Sequence, residues 1–289
     1  MNALRLATRG SGLARAQAAL AEAELRRHGV ERVSTVVVRT QGDRAPDTPV
    51  ARLRGQGWFT AALERSLLED RADVAVHSAK DLPSQLDPSL PVVAYLARGD
   101  CRDALVTRDG RGVESLPAGA RVGTSSPRRS ALLRSLRADL QLEPMRGNVD
   151  TRLGRLESGE VDALVLACAG LDRLGMAERI ACRLDPCLCV PAPCQGAVAL
   201  QARRDGVGVE ACQLCDDPPT RIAATAERAV LAALGGGCLL PLGAWARVEE
   251  GRLVLVAALE VDGVVRRAQA AGDPAAPEAL GRQVAALLR

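Results

Sequence analysis

Four short polar stretches, each placed where a predicted strand gives way to a predicted helix, carry the residues that could do chemistry. They begin at Thr8, Ser78, Gly123 and Arg146. In open α/β sheets such turns meet at the carboxyl ends of the strands, where helix N-termini and hydroxyl groups present donors to anions. We therefore expect the stretches to converge on one anion site. The alternative for each serine or threonine is that it caps a helix.

Arginine dominates these stretches. The residues concerned are Arg9, Arg128, Arg129, Arg146 and Arg152. Guanidinium groups gathered at one site repel one another unless an anion lies among them, and they pair well with carboxylate and phosphate groups. The set predicts a ligand with several carboxylates or phosphates, although each arginine alone is also consistent with a solvated surface charge. No GxxxxGK[ST] loop occurs, which disfavours a nucleoside triphosphate.

Lys80 is the only lysine in a chain with 38 basic residues. Codon bias accounts for the excess of arginine, but a position that keeps lysine under that bias indicates a need for a compact ammonium group. Asp81 follows directly. Beside cations its carboxylate would stay ionised, and it would stabilise a developing positive charge or accept a hydrogen bond from a ring N–H. A helix-capping role for Asp81 is the alternative.

Cys238 follows three glycines. Glycine allows backbone conformations closed to other residues, so this turn could present the thiol to a neighbouring cleft; a buried structural thiol is the alternative. The remaining cysteines match no common zinc or iron–sulfur spacing. Residues Cys182 to Cys194 have the pattern C-x4-C-x-C-x4-C, and Cys212 and Cys215 form an isolated C-x-x-C. We expect no metal site.

Composition excludes several classes of function. The 289 residues carry a net charge of only +3 with both signs interspersed, and Trp, Tyr and Phe number 2, 1 and 1, which argues against nucleic-acid binding. The N-terminal residues lack the pattern of a signal peptide, and no apolar run is long enough to span a bilayer. We expect a cytoplasmic monomer that binds neither nucleic acid nor membrane, with its cysteines as thiols.

Short apolar runs alternate with amphipathic stretches, a pattern typical of β–α units around largely parallel sheets. The predicted strands of a first unit are residues 4–8, 33–38, 73–77 and 91–96, with helices at 12–27 and 59–69. A second series has strands at 104–107, 121–123, 140–143 and 163–166, with helices at 126–137, 148–157 and 169–175. We expect two α/β lobes that face each other across a cleft.

The rest of the chain predicts a connection and a further domain. Residues 182–195 contain prolines at 186, 191 and 193 and are expected to be irregular. A helix at 220–234, alternating segments at 243–258 and 264–270 and a helix at 274–288 predict a small α+β domain. The expected fold class is therefore α/β, with two lobes and a small C-terminal α+β domain.

From Ala7 to about Gly243 the chain resembles the porphobilinogen deaminases, also called hydroxymethylbilane synthases. The matching blocks are Ala7-Thr8-Arg9-x-Ser11, Gly42-Asp43, Gly57-x-Phe59, Ala75 to Asp81 with Pro83, Gly123-Thr124-Ser125-Ser126-x-Arg128-Arg129, Arg146-Gly147-Asn148-Val149-x-Thr151-Arg152, Ala169-Gly170-Leu171-x-Arg173-Leu174, Gln195-Gly196-Ala197, Thr225-Ala226-Glu227-Arg228 and Gly236-Gly237-Cys238. These blocks include the polar clusters found above on physical grounds.

The resemblance implies a transferase of tetrapyrrole and heme biosynthesis. It would join four porphobilinogen molecules head to tail, with release of ammonia, into linear hydroxymethylbilane. The primer would be a dipyrromethane cofactor, linked as a thioether to Cys238. The implied fold has two lobes like periplasmic binding proteins and a third, cofactor-bearing domain: residues 1–97 with 196–215, residues 98–195 and residues 216–289.

The resemblance also implies roles for single residues. Asp81 matches the catalytic aspartate, which would stabilise positively charged pyrrole intermediates through ring N–H groups. The residues that match cofactor-holding positions are Lys80, Thr124, Ser125, Ser126, Arg128 and Arg129. The residues that match substrate-contacting positions are Arg9, Ser11, Phe59, Arg146, Arg152 and Arg173.

The chain departs from the family pattern at a few positions. Gln56 stands where the family commonly has a loop lysine, and Arg54 could compensate. Cys194 replaces a glycine, and Leu239 follows the cofactor cysteine where a polar residue is frequent. Pro127 lies in the turn that contains the two arginines, where the first turn of a helix tolerates it. None of these changes removes a proposed catalytic group.

Two hypotheses of other classes stay open. One is a cytoplasmic binding protein for small carboxylates with the same two-lobed fold, which would need neither Cys238 nor the third domain. The other is a thiol or metal sensor based on the extra cysteines. Release of ammonia from porphobilinogen distinguishes the enzyme from the binding protein, and metal analysis tests the sensor.

Overall fold

The structure, a computed structural model, describes residues 3–39, 60–237 and 240–289. The chain divides into two compact units, residues 1–99 with 197–221 and residues 100–196 with 222–289. The second unit contains both the predicted second lobe and the predicted C-terminal domain because the two share a hydrophobic core, in which Leu105 is buried in one cluster with Val256 and Ala258. The division into three domains therefore stays a prediction.

The first unit is built on one five-stranded sheet. Its strands are β1 (Ala3–Arg9), β2 (Arg32–Val38), β3 (Val74–Ser78), β4 (Val92–Tyr95) and β10 (Val198–Ala202), in the order β2-β1-β3-β10-β4. Its helices are α1 (Gly12–Arg27), α2 (Ala61–Leu68) and α6 (Val209–Gln213). Helix α1 buries Ala21 and Leu25 against Leu4 and Leu6 of β1, as its apolar spacing predicts.

This sheet is mixed rather than largely parallel. Strand β1 pairs in parallel with β2 and β3, whereas β10 runs antiparallel to β3 and to β4. The expectation of largely parallel sheets is wrong for this unit, as it is for the second unit, where the strand Asp103–Thr107 runs antiparallel to both of its neighbours. In the first sheet the reason is that β10 enters after the chain has passed through residues 100–196 of the other unit. It does not arrive by the helical crossover that a parallel pair requires.

The second unit contains a second five-stranded mixed sheet. Its strands are β5 (Asp103–Thr107), β6 (Arg121–Gly123), β7 (Gln141–Glu143), β8 (Ala163–Ala167) and β9 (Cys182–Arg183), in the order β7-β6-β8-β5-β9. Its helices are α3 (Pro127–Leu136), α4 (Val149–Glu157) and α5 (Cys168–Arg173). Short 3-10 turns span Val113–Ser115 and Ala177–Arg179.

The direction of β5 decides what lies at the edge where the parallel strands end. Strand β6 is parallel to β7 and β8, so the three carboxyl ends share one edge. Strand β5 is antiparallel to β8, and Asp103 pairs with Ala167. The first residue of β5 therefore lies at the same edge as the last residue of β8.

The C-terminal part of the second unit is an antiparallel meander with two helices. Its strands are β11 (Leu242–Glu249), β12 (Arg252–Val261) and β13 (Val264–Gly272), and its helices are α7 (Pro218–Ala233) and α8 (Pro277–Leu288). Val230 of α7, Val284 of α8 and Leu255 of β12 are buried in one cluster. The alternating pattern of residues 243–258 corresponds to the hairpin of β11 and β12.

Helix α7 ends in a turn that leads toward Cys238. The Gly235 N–H donates to the Ala232 carbonyl and the Gly236 N–H donates to the Leu231 carbonyl, each at 3.1 Å, in a Schellman arrangement. Gly235 has a φ of +65°, and a Cβ on Gly236 would collide with Leu240. Glycine is therefore favoured at both positions. Cys238 itself lies outside the described residues.

The predicted fold class is confirmed: two α/β lobes, each with a mixed sheet, and a small α+β part with a three-stranded sheet. Most predicted elements begin and end within a few residues of the observed ones. Strand β10 and helix α6 were not predicted. In the part of the chain that the structure describes, no helix is both long and apolar enough to cross a bilayer.

His77, a buried histidine of β3, predicts a specific pH dependence of stability. Burial lowers its pKa from 6.5 to about 4, with a hydrogen bond to Gln201 acting in the opposite direction. Between these two pH values the unfolded chain binds a proton that the folded chain does not, so the free energy of unfolding falls as the pH falls from 6.5 toward 4. His77 accounts for up to about 3 kcal/mol of that fall.

Urea unfolding of the wild type and of His77→Gln at several pH values between 4 and 7.5 measures this contribution. We expect the unfolding free energy of the variant to fall less steeply over the window below 6.5. Parallel curves for the two proteins would contradict the assignment.

Candidate active site

Lys80 and Asp81 lie in the short 3-10 turn Ala79–Asp81, directly after β3. The turn is anchored where it begins: the Ala79 N–H donates to the Ala197 carbonyl at 3.1 Å, and the buried Gln17 amide donates to Ser78 Oγ at 2.9 Å. Asp81 is the last residue of the turn, so it does not cap the start of a helix. Among the residues that the structure describes, none donates a hydrogen bond to the half-buried Asp81 carboxylate, which leaves it available to a ligand.

Arg9 and Ser11 lie at the end of the neighbouring strand in the same unit. Arg9 ends β1, which is parallel to β3, so it lies at the edge of the sheet that also carries the Ala79–Asp81 turn. The hydroxyl of Ser11 accepts a hydrogen bond from the Ala14 N–H at 3.3 Å and caps α1. The capping alternative thus holds for Ser11, although the cap uses only the acceptor side of its hydroxyl.

The three hydroxyl residues after β6 are occupied by local hydrogen bonds. Thr124 Oγ1 accepts from the Ser126 N–H at 3.2 Å, and Ser126 Oγ accepts from the Arg129 N–H at 3.4 Å as the cap of α3. Ser125 Oγ donates to the Met145 carbonyl and accepts from the Met145 N–H, both at 2.9 Å. Ser125 therefore joins the ends of β6 and β7, whereas the hydroxyl protons of Thr124 and Ser126 are not used by these bonds.

Arg128 and Arg129 are buried around a carboxylate of the chain itself. Arg128 Nη1 donates to Asp103 Oδ2 at 2.7 Å, and Arg129 Nη2 donates to Asp103 Oδ1 at 2.7 Å. Two further hydrogen bonds reach the backbone: Arg128 Nη1 also donates to the Val190 carbonyl at 2.7 Å, and Arg129 Nη1 donates to the Val165 carbonyl at 2.9 Å. Asp103 has no exposed surface.

This geometry corrects one inference from the sequence. Repulsion among the arginines was expected to require a bound anion, but for Arg128 and Arg129 the anion is Asp103. Burial alone would raise the pKa of Asp103, yet the charges and hydrogen bonds of the two guanidiniums outweigh it and hold that pKa well below its usual range. Burial likewise opposes the charge of Arg128, and Asp103 outweighs it and raises the pKa of Arg128.

Arg152, which lies near Arg146, differs from this pair because no carboxylate is among the groups that shift its pKa. Burial first, and then the nearby charges of Arg129 and Arg146, lower the pKa of Arg152 from 12.5 to about 10. Its Nε donates to the Gly147 carbonyl at 2.9 Å. The region around Arg146 and Arg152 therefore carries an excess of positive charge, which a bound anion would relieve.

Two buried guanidinium nitrogens in this region have no acceptor among the described residues: Arg128 Nε and Arg146 Nη1. A buried N–H without a partner costs free energy, so such atoms point to a group that accepts from them. The unused donors lie on arginines, and an anion is the acceptor they favour. This is the observation of the structure that most directly indicates an anionic ligand.

Arg173 ends α5, the helix that follows β8. Its Nη2 donates to the Gly196 carbonyl at 2.6 Å, and burial lowers its pKa. The edge of the second sheet thus brings together Thr124 to Arg129, Arg146 and Arg152, while Arg9, Ser11, Lys80 and Asp81 lie in the first unit. Phe59 and Cys238 lie outside the described residues, as do Arg54 and Gln56.

Asp103 and Gln195 were missed as site residues by the sequence analysis. Gln195 is buried and its Nε2 donates to Asp103 Oδ1 at 2.9 Å and to the Cys101 carbonyl at 2.8 Å. A signal was present for Asp103, because a charged residue directly before the apolar run 104–106 must find a partner if that strand is buried. The partner could not be identified, since the strand direction was not known.

The described cysteines belong to no cluster that could hold a metal ion. Within residues 3–39, 60–237 and 240–289, no three His, Cys, Asp or Glu side chains are grouped so as to hold a metal ion. Cys212 and Cys215 are buried, and burial raises their pKa values to about 12 and about 11. These thiols are therefore protonated at neutral pH and poor ligands or nucleophiles.

Comparison with known proteins identifies the family. Residues 4–211 match the family model described as porphobilinogen deaminase, dipyromethane cofactor binding domain, and residues 221–289 match the porphobilinogen deaminase C-terminal domain. A porphobilinogen deaminase of Mycolicibacterium gilvum (strain PYR-GCK) is 44% identical over 298 residues, covering 99% of this chain and 95% of the relative. The chain belongs to the porphobilinogen deaminase family.

A second relative supports the family assignment. The porphobilinogen deaminase of Xanthomonas campestris pv. campestris (strain B100) is 46% identical over 290 residues, covering 99% of this chain and 95% of the relative. Among solved structures, the periplasmic aliphatic sulphonate binding protein SsuA from Escherichia coli is similar with a TM-score of 0.40 and 15% identity, covering 81% of this chain and 75% of that one. The family assignment favours the enzyme over a carboxylate-binding protein.

The donors at this site fit an anionic cofactor. The unpartnered Arg128 Nε and Arg146 Nη1 and the unused hydroxyl protons of Thr124 and Ser126 all lie on residues at or next to one edge of the second sheet. All are donors, as the carboxylate groups of a dipyrromethane require.

The two kinds of arginine predict opposite effects on stability. Arg146→Gln removes a buried donor that has no acceptor together with a positive charge near Arg152, so we expect an unfolding free energy within about 0.5 kcal/mol of the parent or above it. Arg128→Gln leaves the Asp103 carboxylate with one guanidinium, and we expect a loss of about 3–5 kcal/mol.

Both variants are measured by urea unfolding in a Cys238→Ser background, so that no group attached at that cysteine contributes. A loss for Arg146→Gln as large as that for Arg128→Gln would show that the chain itself compensates Arg146. The inference of excess positive charge would then be wrong.

Proposed function

We propose that this chain is a hydroxymethylbilane synthase that joins four porphobilinogen molecules head to tail, with release of ammonia, on a dipyrromethane primer attached through a thioether to Cys238. The observation that carries the proposal is the positive excess at Arg146 and Arg152 in a chain that matches the family along nearly its whole length. Each porphobilinogen carries an acetate and a propionate group, so the growing product is a polyanion. Its carboxylates supply the missing negative charge.

The cofactor would be held through its carboxylate groups. When bound, the dipyrromethane supplies the pyrrole carbon at which the chain of rings grows. Arg128 Nε, the Arg129 guanidinium and the hydroxyl protons of Thr124 and Ser126 would donate to its carboxylates. Lys80 would contribute a compact ammonium group, and Ser125 would act mainly by joining the ends of β6 and β7.

Each condensation requires stabilisation of a positive charge. The C–N bond of the aminomethyl group of porphobilinogen breaks, ammonia leaves, and the remaining pyrrole is cationic until a C–C bond forms and the ring proton departs. Asp81 would accept a hydrogen bond from the ring N–H and stabilise this cation. The Asp81 carboxylate is half-buried, and no described residue donates a hydrogen bond to it. The interaction of Asp81 with a cation would therefore be stronger than in bulk water.

The substrate-side residues would orient porphobilinogen through its two carboxylates. Arg9 ends β1 and Ser11 follows it, next to the strand that leads into the turn with Asp81. Arg146, Arg152 and Arg173 belong to the second unit, and Phe59 would contact the ring. The proposal extends to a cytoplasmic monomer, and sedimentation at several protein concentrations measures the oligomeric state.

Asp81→Asn is expected to lower the turnover of porphobilinogen by at least about 100-fold, because the amide keeps the shape of the side chain but loses its charge. The variant should keep the far-ultraviolet circular dichroism of the wild type. Ammonia release and product formation are measured together. Asp87→Asn, which changes an exposed aspartate of the same unit, is the matched control and should retain turnover. Near-normal turnover of Asp81→Asn would exclude the assigned role.

Intact-mass measurement tests the covalent cofactor. We expect the purified wild type to exceed its sequence mass by one dipyrromethane and Cys238→Ser to have its sequence mass, since serine forms no thioether. Cys187→Ser, which changes an exposed cysteine, should keep the extra mass. A wild-type chain without extra mass is incubated with porphobilinogen before measurement. If it still gains nothing, the proposed function is wrong and carboxylate binding without turnover becomes the better explanation.

A further inference from the structure

The buried Asp103 carboxylate is a group to which the proposed chemistry assigns no role. It accepts hydrogen bonds from Arg128, Arg129 and Gln195, and the Cys189 thiol donates to its Oδ2 at 3.4 Å. Burial, followed by the charge of Asp103, raises the pKa of Cys189 to about 12, so this thiol stays protonated and remains a donor. All four of these side chains therefore donate hydrogen bonds to the Asp103 carboxylate.

One carboxylate between two guanidiniums does not balance their charge. Buried ion pairs are often neutral or unfavourable for stability compared with apolar residues of similar volume, and a buried group of two cations and one anion retains a net charge of about +1. Stability alone does not account for such an arrangement. The excess is consistent with an arrangement kept for binding an additional anion.

The hydrogen bonds fix both guanidinium planes. Arg129 contacts Asp103 through Nε at 3.0 Å and Nη2 at 2.7 Å, while its Nη1 donates to the Val165 carbonyl. Arg128 is held by Asp103 and by the Val190 carbonyl, which leaves its Nε–H with no acceptor among the described residues. The unused donors consequently point in directions that Asp103 determines, and fixed donors bind an anion better than mobile ones.

We propose that Asp103 is a positioning residue for the cofactor. It orients Arg128 and Arg129 so that their remaining N–H groups can donate hydrogen bonds to the cofactor carboxylates. Gln195 supports this role by donating a hydrogen bond to Asp103. This inference rests on the proposed function for the identity of the anion. Asp103 is thus an acidic residue with a role at an anion site, although the negative charge of Asp103 by itself opposes the binding of an anion.

That opposition provides a sharp test, because Asp103→Asn makes the site more positive by one charge. If the arginine pair acts through charge alone, the variant binds a polyanion more tightly. If orientation is what matters, the variant binds the polyanion more weakly. Both oxygens of a carboxylate accept hydrogen bonds from the guanidiniums, whereas an amide has one accepting oxygen and a donating NH2 group. The two explanations predict changes of opposite sign.

The control is Asp139→Asn. Asp139 lies in the same unit, pairs with Arg137 at 2.7 Å on the surface, and its replacement causes the same change in net charge. The measured quantity is the porphobilinogen concentration that half-saturates cofactor attachment to cofactor-free protein, determined by intact mass. We expect an increase of at least about tenfold for Asp103→Asn and no change for Asp139→Asn. An unchanged or lower value for a folded Asp103→Asn variant would overturn the proposal.

Gln195→Met keeps the test available if Asp103→Asn does not fold. This change removes one donor to Asp103 and leaves all charges in place. We expect the half-saturating concentration to rise about threefold. An unchanged value in a folded Gln195→Met variant would then overturn the proposal.

Failure of the proposed function is recognised separately. In that case the wild type itself gains no mass from porphobilinogen. The same proteins are then compared by calorimetric binding of inorganic pyrophosphate, another polyanion. Weaker binding by Asp103→Asn than by the wild type and Asp139→Asn would still support Asp103 as a positioning residue, and equal or tighter binding would overturn it.

Discussion

The second unit depends on one buried interaction, the contact of Asp103 with Arg128 and Arg129. Its cause lies in strand direction. Because β5 runs antiparallel to β8, its first residue lies at the edge where the parallel strands end and where α3 begins with the two arginines. A parallel β5 would place Asp103 at the opposite edge and leave two guanidiniums buried without an anion, which is strongly unfavourable. The mixed sheet is thus a requirement of the site.

The site divides its arginines into two groups with different consequences. Arg128 and Arg129 are compensated within the chain and contribute to folding of the second unit, whereas Arg146 and Arg152 raise the local positive charge and so oppose it. In the free protein the second group lowers the free energy of unfolding, and a bound anion would remove this destabilisation. This division explains how the chain can gather two buried and two half-buried guanidiniums at one edge and still fold, while retaining affinity for a polyanion.

Sequence patterns predicted the local elements well because those depend on periodicity and capping. The strand Arg121–Gly123 was predicted with the observed bounds. What depends on strand direction was not predictable: Val198–Ala202 joins the first sheet antiparallel, and Asp103 reaches the arginines only through the register of β5. For Ser11 and Ser126 the sequence left capping and ligand binding open, and only the observed hydrogen bonds show that both hydroxyls cap helices.

The segment from Leu184 to Gln195 links the arginine pair to the C-terminal part of the second unit. At its end, Cys194 adopts a φ of +61°, a left-handed conformation that costs a non-glycine residue about 1–2 kcal/mol. The cost is offset because the Cys194 N–H donates to the buried Glu227 of α7 at 2.5 Å, while Gln195 donates to Asp103. Two buried carboxylates therefore hold adjacent residues, and hydrogen bonds through Cys194 and Gln195 connect α7, whose end leads to Cys238, to the arginine pair.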